Sequence, residues 1–548
     1  MGFINIFTGS PKKGPVKKEM TKTGLPQIVV APYTPNFDTF YHWSKFHRDH
    51  QKDALKAMEG QSIGQICLPT GTGKTRVQIA VHIQDMIKML QDHEYGVFTT
   101  SAHRLALCNQ LLEEMIAVAV NAGIPFDILF VGSSRFPDDK VHAKFKNKGF
   151  NRYVNEAVST TQGDDIKRAV RKAHMRERHV ICVSTYHSFD RLNALDKIDV
   201  CTYDEAHVVI GEDFMKNILQ VREKIKRNFF FTATRRVQGD FEGMNNEAIF
   251  GKILSAVSPR KMIDVGEIVP PKLHIIKPIE EGDYDNHTML VKTVIVGHEQ
   301  HRVLVNESSC DPDAIGAKLL ITTTGNLEMF ELHDDEKFQQ YCQGENINVF
   351  AFSSERGSFM NFKSVSREEA MRRMRDMDDT ENAIMLHIDI LAEGIDLPSI
   401  TGVMPFRELN TGKLLQTIGR SARLIAEDRR RLYSGEVVPK DWKNYVKPCC
   451  WVIFPQNFKS LGNAEAMKKA IHTIINTYAI PSEEYNTIDK YLADVDDDAD
   501  RITAHDTPNR KDKETDLTHL IEEVMIEKFS ILSTIKNPLQ VIKNLFGR

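Results

Sequence analysis

Short apolar runs alternate with stretches of helical period along most of this chain. In the front half, Ile63 to Leu68, Gly96 to Thr100, Asp127 to Val131, His179 to Val183, Ile198 to Tyr203 and Asn228 to Phe231 each predict a buried strand. Between the first of them, Ala80, Ile83, Ile87 and Leu90 recur at helical spacing over Arg76 to Leu90, and Leu105 to Val120 predicts the next helix. A further amphipathic helix opens at Phe46 to Gln51 and carries Ala54, Leu55 and Met58. Pro and Gly, including Pro270-Pro271, interrupt the pattern over 241–272. It resumes with strands at Leu273 to Ile276, Lys318 to Thr322, Ile347 to Phe352, Ala383 to Ile388, Thr401 to Met404 and Trp451 to Phe454, and a helix at Arg367 to Met377. Beyond it, Met467, Ile471, Ile474 and Tyr478 share a face over Asn463 to Tyr478, and Asp516 to Leu532 repeats the habit. Strand-helix alternation of this kind predicts an α/β fold with parallel sheets. The expected units are a basic arm (1–40), a first sheet domain (41–240), a crossing (241–272), a second sheet domain (273–455) and a helical C-terminal extension (456–548).

Composition adds bounds. At 548 residues the chain is too long for one core, and 41% hydrophobic with 27% charged residues is ordinary globular usage. A net charge of −4 requires any surface for an anionic polymer to be local. Two places are locally basic: the arm, with Lys12, Lys13, Lys17, Lys18 and Lys22, and 132–178, with twelve Lys or Arg against six Asp or Glu, interleaved with Phe136, Phe145, Phe150 and Tyr153. The second pattern suits single strands or a solvated insertion; the first suits a tail, a nucleic-acid arm or nuclear import in a eukaryote. Eight cysteines without a C-x-x-C pair suit reduced thiols in a cytoplasm, a host's if the source is viral. No apolar run reaches membrane-spanning length, so no membrane partner is expected. The acids of Asp494 to Asp500 read as a solvated loop.

The chemistry concentrates in Leu68 to Thr75. A glycine loop between strand and helix is a phosphate cradle: Gly71 and Gly73 let the backbone approach, the main chain from Thr70 to Thr72 faces the charge, Lys74 reaches the outer phosphates and Thr75 offers a hydroxyl to Mg²⁺. At the end of the Ile198 to Tyr203 strand, Asp204 suits the metal and Glu205 suits a base for the attacking water. The Thr232 and Thr234 hydroxyls follow the next strand and would link these acids to the neighbouring domain. Gln51, one short helix upstream, suits either an amide that reads an adenine edge or a surface glutamine. Thr100, His103 and Arg104 sit where open α/β sheets present ligand-binding groups. Arg420 and Arg423, three apart on a predicted helix, project from one face as candidate arginine fingers.

In order, these residues resemble the motifs of superfamily 2 helicases over about 45–455, particularly the DEAH-type group that includes phage recombination and repair helicases and the motor subunits of type I and type III restriction enzymes. Arg48 with Gln51 looks like the adenine motif, Leu68 to Thr75 like motif I, Thr100 to Gln110 like Ia, Asp204 to His207 like II, Thr232 to Thr234 like III, Glu393 to Pro398 like V and Gln416 to Arg423 like VI. Motif Ia lacks its usual proline, and motif IV is blurred around Lys318 to Gly325. The resemblance implies two RecA-like domains with ATP and Mg²⁺ between them and a strand across both. Under it Gln416 lines the nucleotide cleft, Gly394 and Asp396 couple strand to ATP, His207 belongs to the coupling set, and Thr185 and Thr322 join the strand contacts. The implied activity is an ATP-dependent helicase or translocase, on DNA in preference to RNA. An RNA helicase, the motor subunit of a restriction complex and a non-hydrolysing clamp are the competing readings.

Overall fold

In a computed structural model, the described residues are 47–132, 157–237, 243–276, 286–353, 355–388, 399–406, 411–454 and 464–478, with 19–20, 26–27, 38, 40–41, 44 and 409. Most of the basic arm, the aromatic residues of 133–156, Gly394 and Asp396, the acidic run 494–500 and the helix expected at 516–532 lie outside them.

The first sheet contains β1 (Ile63–Cys67), β2 (Val97–Ala102), β3 (Phe126–Val131), β4 (Val158–Thr160), β5 (His179–Thr185), β6 (Ile198–Tyr203), β7 (Ile225–Thr232) and β8 (Ile253–Ala256). Its order is β8-β1-β7-β6-β2-β5-β3-β4, and every pairing is parallel. Successive side chains of a strand face opposite ways, so continuous apolar runs supply two cores. Phe229 and Phe231 enter the layer beneath α1 (Asp49–Met58), α2 (Lys74–Gln91) and α3 (Leu105–Asn121), while Phe230 enters the opposite layer with α4 (Gly163–Met175) and α5 (Glu212–Val221). A Phe230 ring stacked on Tyr203, centroids 4.5 Å apart, ties β7 to β6 in that second layer.

The second sheet contains β9 (Pro271–Ile275), β10 (Lys318–Thr322), β11 (Asn348–Ser353), β12 (Gly357–Met360), β13 (Lys363–Val365), β14 (Ala383–His387), β15 (Gly402–Pro405) and β16 (Cys450–Phe454), in the order β9-β16-β15-β10-β14-β11-β12-β13. All of its pairings are parallel except the β11-β12-β13 meander at one edge. Helix α6 (Asn286–Ser308) covers one face; α7 (Thr411–Ser421) and α9 (Ala464–Tyr478) cover the other, and α8 (Ala426–Ser434) follows α7. These are the two tandem RecA-like domains the resemblance implied. Among the described residues no helix is long and apolar enough to cross a membrane.

Four places differ from expectation. β2 runs to Ala102, so Thr100 lies inside the sheet instead of at its edge. The basic insertion ends in a strand and a helix, β4 and α4, because the apolar stripe of Ile166, Val170 and Ala173 packs on the sheet. The expected crossing supplies β8, held parallel to β1 and joined to its end by Val257 N–H donating to the Cys67 carbonyl (3.0 Å). Finally, α7 stops at Ser421, and Arg423 is extended in a bridge to Ile268.

Candidate nucleotide site

β1, β7 and β6 are neighbours, and their carboxyl ends build one site. The glycine loop leaves β1 with Gly71 and Gly73 at φ of 86° and 85°, a left-handed backbone that costs a residue with a Cβ and costs glycine little. Space demands glycine too: a Cβ on Gly73 would lie 2.3 Å from Gln51 Nε2, and one on Gly71 2.9 Å from Arg423 Cγ. The loop is braced by Thr72 Oγ1 donating to the Pro69 carbonyl (2.7 Å) and by Gln51 Nε2 donating to the Thr72 carbonyl (2.9 Å). Gln51 Oε1 in turn accepts from Arg48 N–H (3.0 Å), which caps the start of α1. Gln51 is therefore fixed against the loop. Thr75 is the second residue of α2 and half-buried.

Lys74 Nζ donates to Glu205 Oε1 at 3.2 Å, joining the loop to the acids at the end of β6. Asp204 is 6% exposed and accepts from Gln78 Nε2 at 2.7 Å, one turn along α2 from Lys74. Burial and the Glu205 charge push Asp204 above the ordinary carboxylate range; in Glu205 burial pulls the same way, but Lys74, His207 and Arg420 together hold it below. The pair thus divides: Asp204 is the harder acid to ionise and Glu205 the standing anion. Glu205 adopts φ 51°, a left-handed turn that points successive backbone groups out of the sheet.

From Glu205 a chain of contacts leads out of the domain. His207 Nδ1 lies 3.5 Å from Glu205 Oε2 and 3.1 Å from Thr232 Oγ1, and Thr232 donates to the Thr234 carbonyl (2.7 Å). The coupling group at Thr234 is its carbonyl, in place of the hydroxyl expected. On its other side His207 Nε2 meets Gln416 Nε2 of α7 at 3.1 Å, a contact across the seam. Burial depresses His207, so a neutral ring can accept from the Gln416 amide.

The second domain delivers its arginines here. Arg420, 7% exposed, feels the Glu205 and Asp204 charges; burial lowers it and those acids raise it. Arg423 is lowered by burial, and by Arg429 and Arg48, to about 10, so it remains a cation at neutral pH. Gly419 lets α7 approach Thr70 of the loop: a Cβ there would stand 2.8 Å from Thr70 Cβ. Glutamine, arginine and glycine of one segment thus close on the loop and acids of another.

Residues 45–237 match the family model described as the type III restriction enzyme, res subunit. The fold of the whole is similar to that of the Type ISP restriction-modification enzyme LlaBIII bound to DNA, with a TM-score of 0.54 at 13% identity, covering 91% of this chain and 35% of that one. The family match covers the first domain, and the likeness over the whole chain is one of fold. The chain spans about a third of that enzyme's length. Weaker likenesses reach S. cerevisiae Dbp5 bound to RNA and ADP BeF3 (TM-score 0.47, 13% identity, 84% of this chain and 97% of that one) and the DEAD-box helicase Mss116 bound to ssRNA and UDP-BeF (0.45, 14%, 88% and 91%). Among curated proteins none matches the chain.

At this site the strand-contact expectation needs correcting for three threonines, and two residues were missed. Thr100 is fully buried and accepts from Thr202 Oγ1 (3.2 Å), which leaves it a sheet-packing residue, not a strand contact. Thr185 and Thr322 are also buried, at the ends of β5 and β10; Thr185 donates to Ser188 Oγ (3.5 Å) and Thr322 Oγ1 meets His387 Nε2 (3.3 Å). His103 and Arg104 do stand at the junction into α3, half-buried. Arg48 was expected to serve the base; it also pairs across the seam with Glu267 at 2.9 Å, both side chains largely buried. Glu267 carried no local signal, because its partner is more than two hundred residues away. His50, beside Gln51, shares the Thr72 carbonyl at 2.9 Å.

Proposed function

We propose that this chain hydrolyses ATP with Mg²⁺ and uses each turnover to move along one nucleic-acid strand, DNA in preference to RNA, as a superfamily 2, DEAH-type helicase or translocase of replication, recombination or repair. The observation that carries the reading is the seam itself: Arg420 of the second domain feels the Glu205 and Asp204 charges of the first, and Arg423 lies against Gly71 of the loop that carries Lys74. The residues fit Mg²⁺, since a hydroxyl at Thr75 and a buried carboxylate at Asp204 are the sparse hard-oxygen set that this ion shares with substrate phosphates. Bound there, the ion would neutralise charge on the phosphates.

The chain's own groups supply the rest. The loop amides and Lys74 take the triphosphate, and as Lys74 turns to it the largest attractive pull holding Glu205 down is relieved. Glu205 then accepts the proton of the attacking water. Arg420 and Arg423 neutralise the charge that builds as the bond to the γ-phosphate breaks, and His207 with Gln416 relays occupancy of the cleft to α7. DNA is favoured because the family model matched by the first domain is a restriction-enzyme subunit. The eight free thiols fit a reducing cytoplasm.

The test is phosphate release with and without single-stranded DNA or RNA at one salt concentration, since strand affinity falls steeply with salt. We expect stimulation by DNA and a loss of roughly 10²- to 10⁴-fold in Lys74→Ala and Glu205→Gln. Full turnover in either variant removes the mechanism, greater stimulation by RNA reassigns the strand, and no release at all leaves a clamp.

A further inference from the structure

The helix that carries Arg420 ends two residues before Arg423, and the carbonyls at such an end must find donors elsewhere. Several at this corner can be followed. Ala422 N–H donates to the Ile418 carbonyl (2.8 Å), and Val269 N–H, from the chain that crosses between domains, donates to the Ala422 carbonyl (2.8 Å). The Ser421 and Arg423 carbonyls both receive one side chain, the ammonium of Lys447, which lies 2.8 Å from the latter. Lys447 is 2% exposed and stands just before β16. It is held in turn by Asp428, a fully buried acid in the first turn of α8, whose two oxygens accept from the Val446 and Lys447 N–H groups at 2.8 Å each.

An ammonium has three donors around a point charge, which suits two carbonyls meeting at a corner, and a cation at a helix C-terminus also opposes the negative end of the helix dipole. Neither Lys447 nor Asp428 makes a hydrogen bond or ion pair with the loop or the acids in the structure. We infer that Lys447 is a positioning residue for Arg423: by clipping the Ser421 and Arg423 carbonyls it fixes the corner where the chain leaves α7, so that Arg423 is laid over Gly71. This rests on the proposed reading that the two arginines complete the ATP site.

The experiment is a double-mutant cycle in the full chain, read as kcat and KM for strand-stimulated ATP hydrolysis. Lys447→Met removes the donors and keeps an unbranched apolar chain. It should lower kcat roughly 10- to 100-fold, the scale of a small misplacement, with KM for ATP within about twofold. Lys447→Gln, whose amide has two donors, should recover part of the loss. In an Arg423→Ala background Lys447→Met should cost nothing more, because its effect passes through that arginine. Losses that multiply, or a raised KM with kcat intact, overturn the inference. If Lys447→Met does not fold, Asp428→Asn runs the same cycle, with a smaller loss that Arg423→Ala again absorbs; multiplied losses overturn the inference there as well. A wild-type chain without turnover, or full turnover in Arg423→Ala, overturns the arginine reading and this inference with it.

Discussion

At the ends of β1, β6 and β7 the first domain holds a buried lysine, a buried and a half-buried carboxylate and a layer of neutral polar side chains beneath them, Gln78, His82, Thr100 and Thr202. The second domain has a sheet of the same size and parallel habit, yet among its described residues it brings cations to that seam, Arg420, Arg423 and, behind them, Lys447, beside the neutral Gln416 and the acid Glu267. One architecture thus serves two electrostatic tasks. Under the proposed function the first half holds the anion and the metal, and Lys74 answers part of the charge that develops in a phosphoryl transfer. The second has cations to spare and no phosphate loop. A buried charge without its counterpart is costly, so each half is better satisfied when the seam is closed, and closure is what completes the chemistry.

The sharpest way to break this division is to discharge the second half. Arg420→Ala and Arg423→Ala should each lower kcat roughly 10³-fold or more, as loss of an arginine finger does, while equilibrium binding of a fluorescent ATP analogue changes far less. Equal losses in binding and turnover would mean that the cations act as ordinary ligands and that the contrast between halves is false. A smaller effect tests the base-reading edge of the first half. Gln51→Ala removes the amide braced on the Thr72 carbonyl and should narrow the preference for ATP over CTP, in kcat/KM, by about tenfold, the worth of one to two hydrogen bonds; an unchanged ratio would assign base recognition elsewhere. The smallest effect belongs to the polar layer. Thr100→Val deletes the Thr202 contact and should leave strand affinity unaltered, with a stability cost of about 1 kcal/mol in chemical denaturation. A drop in strand affinity would restore Thr100 to the nucleic-acid surface.

What could be read from the sequence follows from how local its cause is. Ile198–Tyr203 and Lys318–Thr322 are short, largely apolar runs buried on both faces, and hydrophobicity is enough to find them. The glycine loop and the acids after β6 were legible because phosphate chemistry dictates residue types at fixed spacing. β8 was not: Ile253 is 44% exposed, and the strand exists because β1 offers it an edge. The β12-β13 hairpin turns through Asn361 and Phe362, both at positive φ, without the Asn-Gly signal that marks such turns. Arg423 leaves its helix because Ile268 and Lys447 catch the backbone there, partners at distances no periodicity can report. Gln416 and His207 were found by resemblance, since neither type announces a relay on its own.

The attachment of β8 has a mechanical corollary. The polypeptide that departs toward the second half starts from a strand laced to β1, and β1 runs straight into the glycine loop, so under the proposed function a swing between the halves would have its fulcrum at the foot of the nucleotide. β9, where the chain arrives, is one margin of its sheet, and β13 is the other, seven spacings of about 4.8 Å away, or roughly 33 Å. Under the proposed function, a slight shift beside the phosphates would be geared up into a longer stroke at the outer margin.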